Sequence, residues 1–275
     1  MSNIDPATVR GFGAEWSRFD QSELSDRERR EVGRRYFSLL PLESLKPSMK
    51  VMDVGCGSGR WAALIAQRVA ELHCVDPAEA ALRVAERNLS DSINTVFHVA
   101  SVEELPVPDD SMDLIYSLGV LHHVPDTASA IRNCVAKVRP GGRFLVYLYY
   151  RFDNRPLWFR LVWRVTDVVR RGISRLPFRV KRVVTDVIAV FVYWPLARLA
   201  RFLERRGRNP ELLPLSIYRD LSFYTIRTDA LDRFGTRLEQ RFTKGEIQQM
   251  MRAAGLVDIR FSESEPFWCA VGTKV

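Results

Sequence analysis

Short apolar runs alternate with amphipathic stretches from residue 50 onward. The run 51–54 predicts a buried strand, and after it Trp61, Leu64, Ile65 and Val69 recur at helical spacing. The run 72–75 predicts a second strand ending at Asp76. Pro77 then suits the first turn of a helix reaching about Leu89. Residues 95–99 and 113–117 predict a third and a fourth strand, the latter introduced by the turn-rich PVPDDS. Ile131, Val135 and Val138 mark a helix that stops at RPGG (139–142), with a fifth strand over 144–150. Upstream, residues 24–39 predict a polar, arginine-rich helix closed by Pro41, with a linker containing Pro47 after it.

Strands alternating with helices through short links predict a parallel sheet with helices on both faces. Residues 151–235 interrupt the rhythm. It resumes at TKGE (243–246), a capping-box pattern opening a helix with Ile247, Met250 and Met251 on one side. Gly255 ends that helix, and 256–261 and 267–271 predict two last strands, one of them antiparallel. The chain therefore divides into an N-terminal helical segment (1–49), an α/β core (50–150), an insertion (151–235) and the final helix and strand pair (236–275).

Charge sharpens this division. The 275 residues carry a formal net charge of +8. Residues 151–210 alone hold fifteen Lys/Arg against four Asp/Glu, or +11, so the remainder of the chain is slightly acidic. The N-terminal stretch MSNIDPATVR lacks the basic-then-apolar pattern of a secretory leader. Cys56, Cys74, Cys134 and Cys269 are scattered without a CxxC pair, which argues against a zinc site or a disulfide framework and for a reduced, cytoplasmic setting. No metal-ligand cluster is visible.

The chemistry concentrates in VMDVGCGSGR (51–60). A glycine turn between a first parallel strand and its helix holds a nucleotide-like ligand. The dinucleotide fingerprint G-x-G-x-x-G is not met, because Arg60 occupies its third position. Asp53, two residues before the first glycine, suits a ligand with a cationic group. Asp76, ending the second strand, can accept hydrogen bonds from ribose hydroxyls. A ligand with a ribose, a positive portion and no required phosphate matches S-adenosylmethionine.

Five segments in order, VMDVGCGSGR, CVDP (74–77), SVEELPVPDDSMDLIYS (101–117), LGVLHHVPD (118–126) and VRPGGRFLV (138–146), resemble class I S-adenosylmethionine-dependent methyltransferases. The resemblance is to the small-molecule type, near the ubiquinone/menaquinone-biosynthesis group. It covers about residues 45–150, and more weakly 243–273. It implies a Rossmann-like seven-stranded α/β sheet, with 151–235 inserted as a helical lid. Asp53, Gly55, Gly57 and Gly59 would line the methionine part and Asp76 the ribose. Ser101 and Val102 would meet the adenine edge, though many relatives carry an acid at the first of these positions. Ser117 and Leu118 would flank the sulfonium. S-adenosylhomocysteine is the implied product.

His122 and His123 stand just past the fourth strand, at the mouth of the sheet. If the acceptor is a hydroxyl, an imidazole base suits it near pH 7. Of the two, His122 is taken as the one facing the acceptor. Tyr149, Tyr218, Arg219, Tyr224 and Arg227 are candidates for the acceptor pocket. The expected acceptor is small or lipid-like, with oxygen first as target atom, then carbon, then nitrogen. An RNA methyltransferase and a non-catalytic cofactor-binding scaffold are the alternatives. No separate RNA-binding module is visible, which argues against nucleic acid as the partner.

In the insertion, PLWFRLVWRVTDVVRR (156–171) is amphipathic, with a basic stripe through Arg160, Arg164 and Arg171. The uncharged run VIAVFVYWPLA (187–197) is shorter than the ~20 residues that span a bilayer, and Pro195 is expected to bend or break it. Two readings follow: a helical lid with a solvated arginine face, or a lid that also rests on an anionic membrane surface. The second would place the protein peripherally at the inner face of the membrane.

Overall fold

In the computed structural model, which describes residues 3–211 and 213–275, the chain forms two compact units. The first comprises residues up to 21, Arg29–Asp153 and Leu238–Val275; the second comprises Ser22–Glu28 and Asn154–Arg237.

The first unit is built on seven strands: β1 (Lys50–Val54), β2 (Glu71–Asp76), β3 (Thr95–Val99), β4 (Met112–Leu118), β5 (Val138–Tyr147), β6 (Leu256–Phe261) and β7 (Cys269–Lys274). Their order is β3-β2-β1-β4-β5-β7-β6. The pairs among β1 to β5 are parallel, and β7 runs antiparallel to both its neighbours. This is the Rossmann-like sheet expected from the sequence. Strand order reverses between β1 and β4, which creates the crevice at the strands' carboxyl ends where ligands bind in such sheets.

Strand alternation sorts side chains into two cores. Val51, Leu72, Leu114, Tyr116 and Leu145 pack with Phe37, Trp61 and Ile65 on one face. Met52, Val54, Val75, Ile115 and Phe144 pack with Ile131, Ile247 and Met251 on the other. The helices concerned are α2 (Asp26–Tyr36), the short α3 (Ala62–Ile65), α4 (Glu79–Asn88), α5 (Thr127–Lys137) and α10 (Lys244–Ala253). Thr243 and Glu246 close the capping box on α10.

Two local expectations are refined and one helix is added. α4 begins at Glu79, after a non-helical Ala78, so Pro77 lies ahead of the first turn. α5 stops at Lys137, just before RPGG, as expected, but RPGG is not a separate turn ahead of the strand. It lies inside β5, where a register shift between Met112 and Leu114 absorbs the extra residues. A helix that the apolar pattern did not reveal, α1 (Pro6–Arg18), precedes all of these. Its start is set by Asp5, whose carboxylate accepts from the Ala7 and Thr8 amides, with proline in the first turn.

The second unit holds α6 (Leu157–Ile173), α7 (Phe178–Ile188), α8 (Trp194–Arg205) and α9 (Phe223–Gly235). α9 is its centre, burying Tyr224, Ile226, Ala230 and Leu231. α6 and α7 both pack on it. Glu28 joins the 22–28 segment to this unit by accepting from Ser222 N (3.0 Å) and Thr225 Oγ1 (2.7 Å).

Pro195 does not break its helix. A π turn over Ala189–Tyr193 joins α7 to α8, giving 28 continuous residues from Phe178 to Arg205. The wide turn shifts the hydrogen-bond ladder just ahead of the ring that lacks a donor. By length and composition alone this helix is long enough to cross a membrane, and 28% of its most apolar stretch is buried within the protein.

Candidate active site

The glycine loop leaves β1 at Val54 and turns back over the end of β2. Gly55 and Cys56 donate to Val75 O (2.7 and 3.1 Å). Gly55 has φ +80° and Gly57 φ +54°, conformations that an L side chain strains to adopt. Space is the second reason for glycine. A Cβ on Gly55 would sit 2.4 Å from Val120 Cγ1, and one on Gly57 2.9 Å from Trp16 Nε1. A Cβ on Gly59 would crowd Ala85 and Leu89. The loop is thus pressed closely by the protein's own β4 exit, α1 and α4.

Asp76 ties this loop down. Its Oδ2 accepts from Gly57 N (2.9 Å) and its Oδ1 from Ala78 N (2.8 Å). Burial pushes its carboxyl up to about 6, against the pull of those two amides.

Asp53 is different. It stands beside Tyr116 in the β1–β4 register and is 1% exposed. Its Oδ2 has no hydrogen-bonding partner among the described residues. Burial pushes its carboxyl up to about 8; the nearby Tyr116 phenol draws it part of the way down, and Asp76 adds to the rise. A buried acid oxygen beside a loop of positive-φ glycines is a vacant acceptor for a cationic donor. The chemistry of that oxygen fits a ligand bearing an amino cation, such as S-adenosylmethionine.

The remaining cofactor candidates are placed along the same edge. Val102 is buried, and Ser101 Oγ accepts from Glu103 N (3.2 Å). Ser117 is fully buried and its hydroxyl donates to Val54 O (2.8 Å), clamping β4 to the start of the loop. Leu118 closes β4 at 8% exposure.

The two histidines occupy a 3₁₀ turn, Leu121–His123, and are both buried. Hydrogen bonding distinguishes them. His123 Nδ1 lies 2.6 Å from Leu238 O. A carbonyl only accepts, so Nδ1 carries the hydrogen and Nε2 of the neutral ring holds the lone pair. That Nε2 has no partner among the described residues. His122 instead receives the Tyr149 amide on Nδ1 (3.4 Å) and stacks on the Tyr149 ring, centroids 3.9 Å apart. Gln240 braces the turn from outside: its amide donates to His122 O (2.9 Å) and its side chain to Val124 O (2.6 Å).

α1 bridges these two parts. Trp16 meets Gly57, and Phe12 sets its ring edge against His123, centroids 5.1 Å apart. Asn3 holds the chain ahead of it by exchanging hydrogen bonds with the Asp126 backbone (2.6 and 2.8 Å). Sequence reasoning missed Phe12, Trp16, Leu238 and Gln240. Only the Asp5–Pro6 cap pattern signalled α1, and nothing local signalled the other two.

The other acceptor candidates lie in the helical unit. Tyr218 is buried against Tyr193. Tyr224 is buried in α9. Arg219 pairs with Glu204 (2.9 Å), and Arg227 grips both oxygens of Asp186 (2.9 and 3.0 Å). Among the described residues no cluster of three metal-ligating side chains occurs.

Residues 52–146 match the family described as a methyltransferase domain. The ubiquinone biosynthesis O-methyltransferase of Stutzerimonas stutzeri is 32% identical over 148 residues, 52% of this chain and 62% of that protein. The protein of the same name from Alkalilimnicola ehrlichii is 39% identical over 98 residues, 35% of this chain and 40% of its own. The chain thus matches less than two thirds of the length of these relatives. Among solved structures, an S-adenosylmethionine-dependent methyltransferase from Thermotoga maritima superposes with TM-score 0.50. The match covers 96% of this chain and 100% of the other at 15% identity, a likeness of fold. Residues 52–146 of the α/β core thus resemble a methyltransferase domain, and the sheet shares its fold with a solved S-adenosylmethionine-dependent methyltransferase.

Proposed function

We propose that this protein transfers a methyl group from S-adenosylmethionine to an oxygen of a small or lipid-like acceptor, reached at an anionic membrane surface, with His123 as the base. The observation that carries the reading is the His123 imidazole. One nitrogen is committed to Leu238 O, and the other is a buried lone pair at the mouth of the sheet. The names of the relatives support oxygen as the target atom.

When bound, the cofactor supplies a methyl group already activated by its sulfonium. The protein's work is alignment and proton management. Asp53 holds the cationic amino group and Asp76 a ribose hydroxyl. His123 Nε2 would accept the acceptor's hydroxyl proton while the methyl passes to that oxygen and the sulfonium is left as the neutral thioether of S-adenosylhomocysteine. Leu238 O steadies the imidazolium so formed, since both ring nitrogens then donate. This assigns the base to His123 rather than to His122, whose Nδ1 is turned to the Tyr149 amide.

The test is incubation with methyl-labelled cofactor and an extract split into organic, aqueous and RNA fractions. Label in the organic fraction, stable to mild alkali as an ether is, supports the reading; label confined to RNA refutes it. His123→Ala should slow single-turnover transfer by ~10²–10⁴-fold with cofactor affinity unchanged. Loss with His122→Ala alone would return the base to His122.

A further inference from the structure

The inserted helices are turned inside out by the standards of a water-soluble protein. On α6 two of the three buried residues, Asp167 and Arg170, are charged, and the third is Ile173 near its end. Asp167 and Arg170 are bonded to each other at 2.8 Å, and Arg170 donates to Thr236 O at 2.9 Å. The outward stripe is apolar: Leu157, Leu161, Val165 and Val168 recur at helical spacing and are 60–75% exposed. The 28-residue helix that follows turns mostly small residues inward and large apolar ones outward. Thr185, Ala189, Tyr193, Ala197 and Ala200 face inward, while Val180, Val183, Val187, Phe191 and Phe202 stand 47–74% exposed. An amphipathic helix in water buries its apolar stripe, and contiguous exposed apolar surface marks an interaction site.

Charge selects the occupant. Arg164, Arg175, Arg179 and Arg182 are exposed alongside these stripes. Trp158 and Trp194 are 49% and 36% exposed, as tryptophans at a membrane interface stand. The acids of α6 and α7 are engaged within the unit, Asp167 by Arg170 and Asp186 by Arg227. A second copy would bring the same positive charge to the contact, whereas anionic headgroups neutralise it.

We infer that the outer faces of α6 and of the α7–α8 helix are a docking surface for an anionic lipid bilayer, lying in the headgroup–acyl boundary with the arginines at the phosphates. Two signals combine, apolar area and basic charge, as stable peripheral attachment requires. The inference names the structure behind the membrane partner of the proposed function, and it is read by binding alone, so failure of the methyl-transfer reading leaves it standing and the reverse.

Not every arginine of these helices is available to a membrane. Arg198 donates to Leu221 O, and Arg201 pairs with Asp220, so both serve the fold. The experiment is cosedimentation of the full chain with vesicles of phosphatidylcholine, with and without 30% phosphatidylglycerol, at two salt concentrations. Binding to the anionic vesicles, falling with salt and accompanied by a tryptophan emission blue shift, is the expected result. Arg164→Gln, Arg175→Gln, Arg179→Gln and Arg182→Gln together should weaken it by about a hundredfold or more. Val165→Ser with Val168→Ser, and separately Phe191→Ser, should each weaken it about tenfold or more. Circular dichroism and cofactor binding should be unchanged in all three. Equal affinity for both vesicle types, or wild-type binding by every variant, overturns the inference. A dimer in sedimentation velocity that the serine variants dissociate also overturns it, giving the face to a second copy.

Discussion

With Asp53 as the proposed holder of the cationic amino group, cofactor binding should be a proton-release reaction. The Asp53 carboxyl is buried, lacks a partner for Oδ2 and is pushed up to about 8 from an ordinary 3.8. At pH 7 an acid with that value is about nine-tenths protonated. An amino cation brought to Oδ2 favours the carboxylate, so binding must expel the proton. Apparent affinity should then rise about fiftyfold between pH 6 and pH 8 and level off above, by linkage of one proton to one binding event. S-adenosylhomocysteine is the suitable probe, because it keeps the amino group and cannot be turned over. Calorimetry at pH 7 in two buffers of different ionisation enthalpy should count about 0.9 proton released per ligand bound. Asp53→Asn should bind more weakly at pH 8, release no proton and lose the pH slope. The same shift bears on stability with the opposite sense. The folded-state value lies above the unfolded one, so this carboxyl favours the fold most below pH ~4 and progressively less as pH rises toward 8. Wild-type affinity that is flat from pH 6 to 8, with no proton released, would refute the assignment of Asp53 to the cationic end of the ligand.

Other outcomes can be checked alongside. Gly55→Ala should destabilise the fold by at least ~1–2 kcal/mol in thermal or denaturant unfolding, since φ is +80° and the new methyl would meet Val120 Cγ1 at 2.4 Å. A neutral result would mean that the loop relaxes freely. Asp76→Ala frees the Gly57 and Ala78 amides and should weaken ligand binding by about 1.5–3 kcal/mol in the same calorimeter. Full affinity would separate the loop clamp from the ribose site. Asp167→Ala strands Arg170 in the interior of the helical unit and should cost about 2–4 kcal/mol, seen as loss of helical signal at lower denaturant. An unchanged midpoint would mean that Arg170 finds solvent.

Local features carried the core of this reading because they depend on neighbours in the chain. Alternating strand and helix periods, the Gly55–Gly59 turn and the Thr243–Glu246 cap are all decided within a few residues. So is the position of Asp53 and Asp76 at strand ends, once the parallel order is granted. α1 was legible only from its cap, since its buried residues are Thr8, Gly13 and Glu15 rather than an apolar stripe. Other features rest on partners far away in sequence. Whether His122 or His123 offers a lone pair is settled by Leu238, 115 residues later. What crowds the glycines is settled by Trp16 and Val120. Pro195 passes through its helix directly after a π turn in which Trp194 N donates to Ala189 O. The periodicity of α6 shows that it has an apolar face and a charged one. It does not show which face looks outward, because that depends on what α9 and Thr236 offer to Asp167 and Arg170. Here Asp167 and Arg170, with the Thr236 carbonyl, turn inward, while the valines and Arg164 stay outside.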